Sequence, residues 1–168
     1  MNFTYFKYFI FSFLSVVLVS CQSNEDDLQK IDQTLHIYIT DQQGEDLLNS
    51  SSEVGYARVT MSDVGGEFTS EALKGYSLKR DSLDHYYIEY SAGGTRNLVG
   101  ESGDEKKYQS DFTINYFIKN VVEVQDVDDV TVDYLFTPTL FQVQNFNLNG
   151  ETIFTKVDGQ PNIVKIVK

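Results

Sequence analysis

The chain reads as an all-β protein, an antiparallel β-sandwich of the immunoglobulin-like or transthyretin-like kind, and three observations predict it. Apolar and polar residues alternate with period two in many short segments, the pattern of strands with one face on a core. Turn residues separate those segments, above all Asn149-Gly150, because both central positions of a type I′ hairpin need positive φ. Helical periodicity is nearly absent: Thr69 to Gly75 is the one stretch that fits a helical turn. Strand lengths and loop types vary too much for a regular barrel, which favours the sandwich.

The first strand is predicted at Thr34 to Thr40, where Leu35, Ile37 and Ile39 alternate with His36, Tyr38 and Thr40. Asp41-Gln42-Gln43-Gly44 turns the chain, and Asn49-Ser50-Ser51-Ser52 is a loop by composition. Val54 to Met61 alternates again before the Gly65-Gly66 turn. Asp84 to Tyr90 is the most aromatic segment, with Tyr86, Ile88 and Tyr90 on one face and His85, Tyr87 and Glu89 on the other. Ser91 to Tyr108 reads as a hairpin or long loop around a weak strand at Thr95 to Val99. Phe112, Ile114, Tyr116 and Ile118 then share a face, and Val121 to Gln125 is a short apolar segment. The acidic run Asp126 to Asp129 separates it from a strand at Val130 to Phe136. Phe141 to Leu148 and Thr152 to Val157 flank the Asn149-Gly150 turn, and Ile163 to Val167 is the last strand.

The N-terminus is a different object. Lys7 precedes an apolar run from Tyr8 to Val19 in which only Ser12 and Ser15 are polar, the layout of a secretory signal peptide over residues 1–20. The run is shorter than the roughly 20 residues a transmembrane helix needs. Cys21 follows directly and is the only cysteine, which leaves no second thiol for a disulfide. The domain plan is therefore a signal peptide over 1–20, an acidic tether over 21–32 and a single β-sandwich domain over 33–168.

Leu18-Val19-Ser20-Cys21 resembles the lipobox of bacterial lipoproteins. The resemblance implies cleavage before Cys21 and lipidation of its thiol, with membrane lipid as the partner of the acylated residue. Two or three acyl chains, palmitate among them, hold a protein far more firmly than one myristoyl chain. Glu25-Asp26-Asp27 resembles the surface-export signal of Bacteroidetes lipoproteins, and it equally suits a solvated tether. Thr40 to Asn49 and Phe146 to Ile153, together with the lipobox, make the chain similar to a group of uncharacterised lipoproteins of Bacteroidetes and flavobacteria. The resemblance implies a lipid anchor in the outer membrane, on its periplasmic or cell-surface face, and no named reaction.

Charge narrows the partners. The chain carries a formal net charge of -12, and the leader holds Lys7 and no acid, so the remainder is more acidic still. Nucleic-acid binding, which depends on cations neutralising phosphates, is excluded. Enzymatic signatures are missing: there is no Gly-x-Ser-x-Gly elbow, His-Glu-x-x-His or Walker motif, and His36 and His85 are the only histidines. With 25 acids, the alternative to a binding or structural accessory module is an enzyme, foremost a carboxylate-based glycan hydrolase.

Two site hypotheses follow. Asp126, Asp128 and Asp129 fall within four residues of one turn and offer hard oxygen ligands to calcium, as do Asp41, Glu45 and Asp46 around Gly44; apart from this possible calcium no cofactor is expected. Tyr86, Tyr87 and Tyr90 offer a stacking platform for a carbohydrate, in a chain with no tryptophan; a protein partner at the cell surface is the other expectation. Asp81-Ser82-Leu83 resembles the three-residue O-glycosylation site of exported Bacteroidetes proteins.

Overall fold

The computed structural model describes residues 28–66, 71–91 and 93–168. The expected signal peptide, Cys21 and Glu25-Asp26-Asp27 lie outside the described residues. Among those described, all regular structure is strand: β1 (Lys30–Asp32), β2 (Leu35–Thr40), β3 (Arg58–Asp63), β4 (Glu71–Ala72), β5 (Tyr76–Arg80) and β6 (Tyr86–Tyr90) come first. They are followed by β7 (Asn97–Ser102), β8 (Glu105–Phe117), β9 (Asp126–Thr137), β10 (Leu140–Leu148), β11 (Glu151–Thr155) and β12 (Ile163–Val167).

The strands form two sheets. The larger runs β1-β10-β9-β8-β3-β4, with β11 on β10 and β7 on β8, and the smaller runs β12-β2-β6-β5. Period two does the sorting: Phe112, Ile114 and Tyr116 of β8, Val130, Val132 and Tyr134 of β9, and Leu35, Ile37 and Ile39 of β2 all point into one core at 2% exposure or less. Tyr90 of the smaller sheet meets Phe112 of the larger one with ring centroids 5.0 Å apart, so the two sheets face each other. The register shift between Val143 and Asn145 leaves Gln144 as an extra residue in β10, the shift opposite Phe146 and Asn147 leaves Ile153 as an extra residue in β11, and the larger sheet curls as a half-barrel. Asn149 (φ 51°) and Gly150 (φ 85°) make the expected left-handed turn between β10 and β11.

The pairing differs from the expected antiparallel pattern at two places. β2 pairs parallel to β12 and β1 parallel to β10, so both sheets are mixed. β12 reaches the smaller sheet only after residues 156–162 carry the chain across from β11, and it arrives running the same way as β2. β1 lies in the segment expected to be tether; three residues are too few to show a period, and its order comes from partners distant in sequence. Glu71–Ala72, expected in a helical turn, pairs with β3. Glu105 to Tyr108 and Asp126 to Asp129, read as loop from their charge, are the ends of long strands; Glu105, Lys107, Asp126 and Asp129 are exposed there, while Asp128 is buried.

This topology gives the domain two distinct poles. β1 begins beside the β9–β10 turn, where Lys30 N–H donates to Thr139 O at 2.9 Å and Gln29 Nε2 to Thr137 O at 2.8 Å. At the opposite pole β2 and β12 end together, with Lys168 N–H donating to Thr40 O at 2.9 Å, beside the turns after β8 and β10. The chain enters at one pole, and the loops after β2 and β5 lie at the other.

Candidate functional site

The outer face of the smaller sheet carries a groove of about 470 Å³, within the usual range for small-ligand sites. Because Ile37 and Ile39 point inward, the alternate residues His36, Tyr38 and Thr40 of β2 must point out. The parallel register sets Ile163, Lys165 and Val167 of β12 beside His36, Tyr38 and Thr40 in turn. Tyr38 and Thr40 form the floor, and Ile163, Lys165 and Val167 form one wall. The opposite wall is Leu83 and His85 from the β5–β6 loop, and Gly44, Asp46 and Tyr86 close the end.

An aromatic strip crosses this face. Tyr87 of β6 stacks on Tyr38 with centroids 5.4 Å apart and planes at 28°, and His36 is tilted against Tyr87 with centroids 4.6 Å apart. His36 Nε2 lies 3.7 Å from Glu89 Oε2, and Lys79 Nζ lies 2.7 Å from Glu89 Oε1. The groove therefore combines ring faces, aliphatic walls, one ammonium and several polar tips.

The acids in the groove are committed to holding its walls. Asp81 Oδ1 accepts from Leu83 N–H at 2.8 Å and His85 N–H at 3.0 Å, while Oδ2 accepts from the Tyr38 hydroxyl at 3.3 Å. Desolvation pushes the Asp81 carboxyl up, but these hydrogen bonds outweigh it and hold the group below the usual carboxylate range. Tyr38 moves the other way, raised by burial and by the neighbouring Asp81 charge. Asp46 Oδ1 accepts from Leu48 N–H and Oδ2 from Tyr86 N–H, both at 2.8 Å, which clamps the loop after β2 to the start of β6.

The residues singled out from sequence are divided by the fold. Tyr86 and Tyr87 point to opposite sides of β6; Tyr86 lines the groove, Tyr87 belongs to the aromatic strip, and Tyr90 is fully buried against Phe112. Asp126 and Asp128 converge on the Lys168 ammonium, with Nζ at 2.9 and 2.6 Å from their Oδ2 atoms, and Asp128 also accepts from the Tyr116 hydroxyl at 2.7 Å. Asp129 lies on the other side of β9 and is exposed. Asp41 Oδ1 accepts from Gln43 and Glu45 N–H at 2.9 and 2.8 Å, as in an ordinary turn, and Glu45 is exposed. Among the described residues no group of three or more His, Cys, Asp or Glu is arranged to hold a metal ion. Ser82 is exposed on the β5–β6 loop beside the groove wall.

Tyr38 and Lys165 are among the groove residues that sequence reading passed over as site candidates. The alternation of β2 does show that Tyr38 points outward, but the pairing of β2 with β12, more than 120 positions away, has no local signature. Comparison of the chain with family models, curated proteins and solved structures finds no match.

Proposed function

We propose that the protein is a lipid-anchored extracytoplasmic module that binds a glycan in the groove on its smaller sheet. The observation that carries this reading is the aromatic strip of His36, Tyr87 and Tyr38 running into a groove lined by Thr40, Lys165 and His85. Sugar rings offer apolar faces to aromatic rings and hydroxyls to polar tips, and this groove presents both. Attachment through Cys21 would place the membrane at the pole where β1 begins, and the groove loops lie at the other pole. Binding fits better than hydrolysis, because Asp46 and Asp81 spend their oxygens on backbone N–H groups and the Tyr38 hydroxyl, and a general acid needs a raised pKa whereas the Asp81 carboxyl is held low. The outer membrane is the proposed site of anchoring. For the domain itself, the two facing layers support a sandwich of the immunoglobulin-like or transthyretin-like kind.

Capture on a panel of insoluble polysaccharides tests the proposal. At least one should retain the protein, and Tyr38→Ala should weaken retention about tenfold, equivalent to ~1.4 kcal/mol. A blank panel, or retention that ignores Tyr38→Ala, refutes the groove as a glycan site.

A further inference from the structure

The free edge of β5 is an open strand of a built sheet. β5 ends the smaller sheet, and among the described residues no strand pairs with its far side. Hydrogen bonds from Ser91 N–H to Gly75 O and from Asp81 N–H to His85 O show that odd-numbered residues here turn their backbone toward β6. The backbone groups of Tyr76, Leu78 and Arg80 consequently face away from β6. Leu78 is 52% exposed, a large apolar side chain in the middle of this edge.

Natural edges are commonly blocked by charge, bulges or shortness. β7 carries a register shift between Leu98 and Gly100, and β1 and β4 are only 3 and 2 residues long. β12 has Lys165 at its centre, so pairing two copies about that point would set ammonium against ammonium. β5 has no register shift, is longer than β1 and β4, and has Leu78, not a charge, at its centre. Its own cations are already neutralised, Lys79 by Glu89 at 2.7 Å and Arg80 by Asp84 at 2.6 Å.

We propose that β5 is a homotypic docking strand, through which two copies of this chain pair antiparallel about a two-fold axis at Leu78 and join their smaller sheets into one. The register is self-complementary. Leu78 meets the partner's Leu78 in a hydrogen-bonded pair, Lys79 faces the partner's Ser77, and Arg80 faces the partner's Tyr76; no two like charges oppose each other. A five-residue edge buries little surface, so the dimer is weak, with a Kd of about 10–100 μM.

Sedimentation equilibrium of the full chain in density-matched detergent tests this. The wild type should dimerise in that range, and Leu78→Lys should abolish association while Leu98→Lys, at the comparably exposed Leu98 of β7 (51%), leaves it unchanged. Ser77→Glu sets two new opposite-charge pairs against Lys79 across the axis and should tighten the dimer about fivefold; Ser77→Lys should loosen it about fivefold. Within one chain Ser77 lies opposite Glu89, so fold stability moves in the reverse direction, and melting curves separate the two effects. A wild type that stays monomeric to about 1 mM, Ser77 variants that shift association the same way, or a Leu98→Lys loss equal to that of Leu78→Lys overturns the proposal.

Discussion

Tyr38 and Asp81 stand 43 residues apart in the chain, and the hydroxyl of the first donates to Oδ2 of the second at 3.3 Å. The contact ties the floor of the groove to its wall. Tyr38→Phe keeps the ring and its stacking on Tyr87 but removes the donor, so the β5–β6 loop should loosen at little cost to global stability. Amide exchange at Leu83 and His85 should quicken slightly in Tyr38→Phe and far more in Asp81→Ala, which deletes the acceptor of both N–H groups. Unchanged exchange at those amides in Asp81→Ala would show that the loop is held by something else.

Asp128 and Lys168 should make the domain sensitive to acid. Desolvation raises the Asp128 carboxyl, yet hydrogen bonds from Lys168, Tyr116 and Asn149 prevail and hold it below its ordinary 3.8. A carboxyl depressed by folding contributes stability above its unfolded pKa, and that contribution is lost as pH falls through the lower folded value. Lys168, opposed by desolvation but raised on balance by Asp128 and Asp126, contributes below its unfolded pKa and loses this as pH rises through the folded one. Denaturation titrations should show stability falling below about pH 4, with a shallower fall in Asp128→Asn. Lys168→Met, which leaves Asp128 buried without its cation, should cost about 3 kcal/mol at neutral pH.

Lys156 should govern whether β1 stays on the sheet. Its side chain is 3% exposed, its Nζ lies 2.8 Å from Asp32 Oδ2, and Asn162 Nδ2 donates to the other oxygen of Asp32 at 2.8 Å. The Lys156 hydrogen bond is the main reason Asp32 is held below the ordinary carboxylate range. Lys156→Met should release β1, seen as faster exchange of the Lys30 amide bonded to Thr139, and should destabilise the domain by about 3 kcal/mol. Protection of that amide equal to wild type would contradict the staple.

Phe112 should be among the costliest core positions. It has no exposure and touches Tyr90 across the layers and Phe146 along the larger sheet, with centroids at 5.0 and 6.4 Å. Phe112→Ala should cost about 3–5 kcal/mol in urea denaturation. A loss under about 1 kcal/mol would mean that the two sheets do not share this core.

Legibility from sequence followed burial contrast. β2, β6, β9 and β12 alternate cleanly because one face meets the core and the other meets water, and the Asn149-Gly150 turn carries its own chemistry. β5 was missed because four of its five residues are exposed, so Tyr-Ser-Leu-Lys-Arg shows little contrast between faces. The first residues of β8 are polar because their partners β7 and β9, and not a core, hold them. For the site, three tyrosines close together on one strand could not form one platform, since neighbours on a strand point opposite ways. The strip that does exist is built across strands, Tyr38 on Tyr87, and cross-strand register depends on partners far away in the chain.

We propose that this domain works outside the cytoplasm, moored through Cys21. Fractionation of cells expressing wild type and Cys21→Ala tests this most directly. The account predicts wild type in the detergent-extractable envelope fraction and Cys21→Ala released from it; Cys21→Ala retained in the envelope as firmly as wild type would contradict it.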